Sequence, residues 1–521
     1  MLPSWTTAPA AEAVAGPGAG QEYSGVDISA SYQSAVSTSS RPLTATITVD
    51  KKRIIGPLEK KLFGFNTDRY ALETTLLLPG TQQIDPEASH LLHGIPLPLV
   101  RSGGSEAMQF RWKRAIGPNA ERQPQKLWPW ATSEKLALGA VEMEQWLRSI
   151  DPKTETAWVL NLFQDTPEDH ADLAEFLTGT PGKPRGSIDW AQKRVALGLK
   201  EPVKVAIWEL GNEVDWDSTH KLTIEQYIDA CRKTIQAIRQ VDPKAKFAVH
   251  ALTAPWSPNH QEFSGSSWSG WHRNLLRKLG PEIDYISFHP YYDGNPLCVI
   301  ERYLDRIRDD IQDITKDNRI RVYISEHARW PETPKKGEWK DNWFQTHSLD
   351  GCLSTAQFLV RCLSRPEITA ASYHALTTGP WGLFFCDPES GKLYTSGMAE
   401  LFRFFSKLPD GNVVATTISG SGTDPNRPDL EFIAATVSTP QGLFLVVVNR
   451  GAERKAKLAL GSNYQLRSGY KLTAPDRNSV NTLKERTISI TSLPSLSRDA
   501  VLNEILIPPL SVNLLELTEI K

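Results

Sequence analysis

Between residues 62 and 376 the chain alternates short apolar, β-branched runs with longer charged stretches in which apolar residues recur three or four apart. Runs of the first kind read as strands and stretches of the second kind as amphipathic helices. Eight strands are expected, at 62–66, 97–101, 157–163, 205–210, 246–250, 285–289, 321–325 and 370–375, with helical periodicity between them, for example at 133–149, 223–240 and 298–315. Eight such βα units predict the α/β class and a (β/α)8 TIM barrel. Beyond residue 405 the pattern changes to strands parted by Gly, Asn, Pro and Asp, at 412–418, 431–437, 442–449, 454–460, 470–473, 487–490 and 512–517. These predict a C-terminal antiparallel β-sandwich domain. Residues 43–54 also alternate, Thr44, Thr46, Thr48 and Asp50 against Ala45, Ile47 and Val49, yet they precede the barrel. The expected organisation is a flexible Ala/Ser/Gly/Pro-rich tail over 1–40, a strand within 41–60 that joins the sandwich, a barrel over 61–400 and the sandwich over 401–521.

Charge narrows the classes of partner. Over 521 residues, 58 Lys+Arg stand against 60 Asp+Glu, a net charge of −2, which argues against a nucleic-acid or anionic-lipid partner. No apolar run approaches the ~20 residues of a bilayer span, so no membrane span is expected. Five scattered cysteines without a CxxC pair encode neither a disulfide framework nor a zinc knuckle. His90 and His93 share a helix face but have no third ligand in view, and no HExxH or EF-hand loop occurs, so no cofactor and no metal is expected. Met1 to Ala15 has no basic n-region and no continuous apolar h-region, so it is not an intact secretory signal. A low-complexity tail often follows a cleaved signal or lipoprotein anchor, which leans the reading toward export and leaves a cytoplasmic location open. A homo-oligomer is compatible with all of this.

In a (β/α)8 barrel the chemistry gathers at the C-terminal ends of the strands. The residues there are Asn66, Arg101 with Ser105, Asn161, Asn212 with Glu213, His250, His289 with Tyr291, Glu326 and His374. Runs that are apolar until their last residue are poorly explained as core, because an unpartnered buried polar group costs about 1–3 kcal/mol. Glu213 ends the fourth run and Glu326 the seventh, which directs two carboxylates to one mouth. Such a pair suits retaining glycoside hydrolysis, with one nucleophile and one acid/base. Trp256, Trp268, Trp271, Trp330, Trp339, Trp343 and Trp381 are assigned to loops after later strands and are expected to stack on sugar rings. Arg101 and Arg329 are expected near the mouth, either to hold the carboxylates or to meet a uronate. The expected partner is a carbohydrate substrate.

With these residues in place the sequence resembles the clan A glycoside hydrolases, and most closely the family 51 α-L-arabinofuranosidases, over nearly all of 44–517. Thr46 to Asp50 followed by Leu62-Phe63-Gly64 looks like that family's opening strand and entry into the barrel. Val100-Arg101-Ser102-Gly103-Gly104, with Trp112 and Ile116-Gly117-Pro118, resembles its Arg-Tyr-Pro-Gly-Gly-Asn segment and the Gly-Pro that follows. Ala196-Leu197-Gly198, Glu201-Pro202 and Trp208 to Glu213 are similar to its approach to the acid/base, and Ser287 to Tyr292 to its His-x-Tyr-Tyr motif. Leu472, Pro475-Asp476, Val480-Asn481-Thr482 and Ile507 to Val512 resemble its C-terminal sandwich. The resemblance implies Glu213 as acid/base and Glu326 as nucleophile. The strand ends and the positions around the carboxylates together give Asn66, Arg101, Ser105, Asn161, Asn212, His289, Tyr291, His327, His374 and Trp381 as the expected substrate-binding residues.

Four positions depart from the family pattern. Ser105 stands where the family has Asn, Asn66-Thr67-Asp68-Arg69 where it places a Glu, His327-Ala328 where it has Trp-Asn, and Tyr373-His374 where it presents a Gln. The carboxylates are retained while the walls that recognise the sugar differ. The expected function is a retaining glycoside hydrolase of the α-L-arabinofuranosidase type, acting on polysaccharide or oligosaccharide side chains. The rival readings are another clan A retaining activity, a β-xylosidase or endo-β-glycanase, and a carbohydrate-binding protein that has lost catalysis.

Overall fold

The computed structural model describes residues 43–67, 75–78, 81, 83–128, 131–215, 221–253, 270–293, 297–332, 334, 336–377, 379–420, 432–451, 453–493 and 502–520. The tail, Asp68, Arg69, Trp256 and Trp268 lie outside them. After a first strand, β1 (Leu43–Pro57), come β2 (Gly64–Thr67), β3 (Leu99–Ser102), β4 (Glu155–Val159), β5 (Val205–Leu210), β6 (Phe247–His250) and β7 (Tyr285–Ser287). A two-residue strand β8 (Tyr291–Tyr292) precedes β9 (Arg321–Arg329) and β10 (Ile368–Tyr373). Strands β2 to β7, β9 and β10 pair in parallel, and the ring closes where Ser372 and Tyr373 meet Gly64 and Phe65. Gly64 makes that closure fit, because a Cβ there would lie 2.7 Å from the carbonyl oxygens of both Ala371 and Leu99.

Alternation along the strands fills the barrel. Leu99, Ala157, Ile207, Ala248, Tyr323 and Ala370 form one apolar layer inside it. Two residues further on, the same pleat face presents Arg101, Glu209, His250 and Ser372, so an apolar floor carries a polar ceiling. Outside, the helix Ile224–Arg239 starts on Thr223, whose hydroxyl accepts from Gln226 N while Gln226 Oε1 accepts from Thr223 N. Its buried face carries Tyr227, whose hydroxyl donates to Leu210 O at 2.6 Å and accepts from His250 N at 2.8 Å. One helical side chain thereby ties the ends of β5 and β6 together beneath the mouth.

The remaining strands are a hairpin, β11 (Phe384–Cys386) with β12 (Leu393–Thr395), and then β13 (Asn412–Gly420), β14 (Phe432–Thr439), β15 (Gly442–Asn449), β16 (Arg454–Ala459), β17 (Tyr464–Thr473), β18 (Ser489–Ser492), β19 (Glu504–Ile507) and β20 (Ser511–Glu519). With β1 they make a nine-stranded sheet in the order β18-β17-β20-β15-β14-β13-β1-β16-β19. Tyr464 and Leu466 near one end share a core with Leu458 and Ile507 at the other, so the sheet folds over on itself. Leu445 and Val447 face that core, whereas Val446 and Val448 join the core of the barrel, which is the period of two expected of a strand buried on both faces. The sheet is not wholly antiparallel: β1 runs antiparallel to β13 but parallel to β16. A parallel neighbour needs a long crossover, and here the whole barrel supplies it.

Local chemistry accounts for the other differences from the sequence expectation. The third barrel strand spans Glu155–Val159 instead of 157–163, because the Asn161 side chain accepts from the backbone N–H groups of Phe163 and Gln164 and turns the chain. The helix expected at 133–149 begins only at Ala140. The hairpin β11–β12 and strand β19 were not expected. Among the described residues no helix is long and apolar enough to cross a membrane.

The alternation in β1 is testable. Ile47 is fully buried in the sheet core and Thr48 is exposed. Ile47→Ala should cost about 2–5 kcal/mol in denaturant unfolding, and Thr48→Ala should stay within about 0.5 kcal/mol of the unmodified chain.

Candidate active site

Two backbone devices aim the carboxylates. In β9 and β10 the register runs Ala371 to Ile324 and then Tyr373 to His327, so β9 carries one more residue than its partner across this step. That bulge breaks the alternation and turns Glu326 toward the mouth instead of the surrounding helices. Glu213 lies three residues past β5, in a turn where Gly211 has φ +85° and Glu213 itself +45°. A Cβ at Gly211 would stand 2.6 Å from Val214 Cγ1, so the turn requires glycine. A non-glycine residue in the left-handed region is a strained placement of the kind that gathers at functional sites. One oxygen of Glu213, one of Glu326 and a ring nitrogen of His289 lie within 4.8 Å of one another.

Beneath them Arg101 is fully buried and its guanidinium is divided three ways. Nε donates to Glu209 Oε2 at 2.5 Å, Nη1 to Glu326 Oε2 at 3.0 Å and Nη2 to Asn212 Oδ1 at 2.6 Å. Glu326 Oε2 also accepts from Asn66 Nδ2 at 3.0 Å, and its Oε1 accepts from the Tyr291 hydroxyl. His374 Nδ1 stands 3.1 Å from Asn66 Nδ2 and 3.8 Å from Glu326 Oε1. On the other side, Glu213 Oε1 is 2.9 Å from His289 Nδ1, and His289 Nε2 is 2.9 Å from Ser325 Oγ. Asn212 Nδ2 reaches Ser105 Oγ at 3.4 Å.

This arrangement drives the two carboxyls apart in ionisation. Burial works against charge on Glu326, yet the His374 and His289 imidazoles, the Arg101 guanidinium and the Tyr291 hydroxyl outweigh it and bring the carboxyl down to about 2. Of these groups Arg101 has the permanent charge. Glu213 moves the other way: burial raises it, the His289 contact opposes the rise, and the negative charge of Glu326 reinforces it. Tyr291 is raised well above its ordinary value by burial and then by Glu326, so it remains a hydroxyl donor. Burial lowers His374 and His250 as well.

Asn66, Arg101, Ser105, Asn212, Glu213, His289, Tyr291, Glu326 and His374 are therefore brought into one network. Trp381 borders it, its ring centroid 5.0 Å from His374 and 5.9 Å from Tyr291, and Trp330 and Trp339 continue the same aromatic wall. Trp343 extends it to the exposed side, edge-on to Trp339. Four residues expected at the site face elsewhere. His327 is fully buried against Phe358 and Tyr373, because the bulge that turns Glu326 inward turns its neighbour outward. Burial pushes its imidazole down to about 3. Asn161 is spent on the loop after β4, donating to Phe110 O and accepting from two backbone N–H groups. Arg329 pairs with Asp293 and Asp350, not with anything at the mouth. Trp271 is likewise core, its indole N–H bonded to His250 O.

Sequence reasoning missed Glu209, Ser287 and Ser325. Glu209 sits between Trp208 and Leu210 inside an apolar strand, and only the step of two from Ile207 marks it as facing the barrel interior. Glu209, His250 and His289 come close enough to surround a cation, as do Glu213, His289 and Glu326. In both sets the imidazoles already spend both ring nitrogens on protein partners, His250 on Ser287 and Thr253, His289 on Glu213 and Ser325. This donor set fits a hydrogen-bonded network better than a metal centre.

Comparison with known proteins agrees with the fold and extends the sequence likeness. The family model of the α-L-arabinofuranosidase 1 domain matches residues 97–294. An intracellular exo-α-(1→5)-L-arabinofuranosidase of Halalkalibacterium halodurans is 28% identical over 320 residues, covering 59% of this chain and 60% of that protein. One from Bacillus subtilis is 27% identical over 319 residues, with the same two shares. The matched part thus spans less than two thirds of these relatives. Among solved structures, an α-L-arabinofuranosidase from Thermotoga maritima in complex with arabinose superposes with a TM-score of 0.75 at 20% identity, over 92% of this chain and all of that one. A family 51 arabinofuranosidase from Xanthomonas axonopodis pv. citri gives 0.76 at 16% identity over 91% of this chain and all of that one. In sequence over residues 97–294, and in fold over nearly its whole length, the chain resembles the family 51 α-L-arabinofuranosidases.

Proposed function

We propose that this protein is a retaining glycoside hydrolase of the α-L-arabinofuranosidase type, with Glu326 as nucleophile and Glu213 as acid/base. The observation that carries the reading is a pair of carboxyls with oxygens within 4.8 Å, one held ionised and the other pushed toward its protonated form. Retaining enzymes separate their carboxyls by about 5–5.5 Å, and inverting ones by about 6.5–9.5 Å to admit a water. The relatives named as exo-acting arabinofuranosidases support the substrate class.

In the first step Glu326 bonds to the anomeric carbon as the bond to the leaving oxygen breaks, and that oxygen takes the proton of Glu213. In the second a water gives a proton to Glu213 and attacks the same carbon, and Glu326 departs as carboxylate. Two displacements at one carbon return the original configuration. Arg101 and Asn66 hold one oxygen of the nucleophile and Tyr291 the other, which leaves a fixed face for attack. Asn212 accepts from Arg101 at Oδ1, directs one Nδ2 hydrogen at Ser105, and has the other for a sugar hydroxyl.

Glu326→Ala should abolish turnover of every glycoside, and added azide should restore it with a product of inverted configuration. Glu213→Ala should keep activity on aryl glycosides with good leaving groups while losing unactivated substrates, about 10²–10⁴-fold for a missing general acid. Equal losses of Glu213→Ala on both kinds of substrate would remove the acid role.

The pH dependence comes from the two directions. Glu326 stays ionised down to about 2, so it sets no acidic limb in the ordinary range. Glu213 is active as the acid, so kcat/KM on an unactivated glycoside should fall as pH rises through its elevated value. In Glu213→Gln, assayed on an activated substrate, that alkaline limb should be absent.

Sugar preference rests on Ser105 and His374, which stand at the mouth where the family has Asn and Gln. A site built for particular hydroxyls rejects a sugar that lacks them, because its own buried polar groups are left unpaired. Over a panel of 4-nitrophenyl pentofuranosides, pyranosides and uronides, unsubstituted α-L-arabinofuranoside should not be the best substrate by kcat/KM. A wide margin in its favour would mean that the two substitutions are neutral.

A further inference from the structure

Glu326 depends on a hydroxyl carried by a very short piece of sheet. Tyr291 and Tyr292 make up all of β8, and among the described residues they ladder with Ala328 and Arg329 at the far end of β9. Two residues of ladder give little cooperativity of their own. The next residue is Asp293, with φ +66° and its carboxylate buried.

That carboxylate is held from both domains. Arg329 Nε lies 3.0 Å from Asp293 Oδ2, the Ser354 hydroxyl donates to the same oxygen, and Arg450 Nη2 is 3.2 Å from it. Arg450 comes directly after β15 of the second sheet, and its Nη1 donates to Gln357 Oε1 at 3.0 Å. A second carboxylate, Asp350, closes the cluster: Arg329 Nη1 reaches it at 2.9 Å, Arg477 Nη1 at 2.8 Å and Arg450 Nη2 at 3.4 Å. Burial opposes charge on both aspartates, and the surrounding arginines hold both below the ordinary carboxylate range.

We propose that Arg450 of the second sheet is a positioning residue for the reaction: by fixing Asp293 it fixes β8, and so keeps the Tyr291 hydroxyl on Glu326. Its kinetic consequences rest on the glycosidase reading. The second sheet thereby takes a part in the chemistry, because an ion pair between domains sets the geometry of a donor to the nucleophile. Asp350 belongs to the same cluster but lies on the helix Leu349–Leu363, away from β8, and serves as the internal control.

Asp293→Asn, Arg450→Ala and Asp350→Asn in the full chain separate positioning from stability. All three should lower the melting temperature. Only Asp293→Asn and Arg450→Ala should also lower kcat roughly tenfold with little change in KM. Arg101, Glu213, His289 and His374, which also face Glu326, are untouched by these changes. Arg450→Lys should restore part of the kcat, and it carries the test together with Asp293→Asn if Arg450→Ala does not fold. An unchanged kcat in Asp293→Asn and the Arg450 variants, or an equal loss in Asp350→Asn, would overturn the proposal. Crystal structures of the variants read the same point without substrate: the Tyr291 hydroxyl should be drawn away from Glu326. If the unmodified protein turns over no glycoside, the glycosidase reading fails, and these structures still decide whether Arg450 positions Tyr291.

Discussion

Arg101 carries a permanent positive charge into the centre of the barrel, where no water reaches it, and three neighbours each accept one part of its guanidinium. Breaking a buried pair by removing one partner leaves an uncompensated charge, at a cost of about 3–5 kcal/mol, so the pairing with Arg101 helps to hold Glu326 ionised. Glu213, buried and close to the charged Glu326, keeps its proton more readily. The difference in ionisation between the two glutamates therefore owes much to which of them Arg101 bonds.

The two carboxyls also differ in how they are mounted. Glu326 is built into a strand and re-aimed by a bulge, with three donors on its oxygens. Glu213 stands on a turn in a left-handed conformation, and one imidazole meets it. In the mechanism proposed above the nucleophile has to approach one carbon along one line, so rigid mounting serves it. An acid that becomes a base between two steps has to exchange a proton with two different oxygens, and a turn at the rim leaves it that access.

Much of this was legible in the chain. Polar residues closing apolar runs pointed to Asn66, Arg101, Asn212, Glu213, His289 and Glu326, because a strand end is where a polar side chain can sit on a packed core without losing its partners. Glu209 was hidden, since an acidic residue flanked by Trp208 and Leu210 gives no sign of which face it occupies until the barrel interior is known. His327 was misread because the alternation that assigns faces is broken one residue earlier. Arg329 and Trp271 were misread for a related reason: proximity in sequence to the mouth says nothing of the Asp293–Asp350 cluster or of the His250 carbonyl that claim them. The crossing of β1 into the second sheet was readable from its alternation, whereas its parallel pairing with β16 depends on where the barrel returns the chain.

The placement of β1 has a consequence for synthesis. Its apolar face, Ala45, Ile47 and Val49, is complete early, but the strands on either side of it, β13 and β16, lie beyond the entire barrel. With ribosomes adding about 5–20 residues per second, the strand waits for tens of seconds before a partner exists. An unpaired strand with one apolar face is a template for association with other nascent chains. Lys51-Lys52-Arg53, set in the middle of β1 beside Asp50, places a block of charge there. During that interval these residues serve as gatekeepers, making the strand a poor match for another copy of itself until its own sheet arrives.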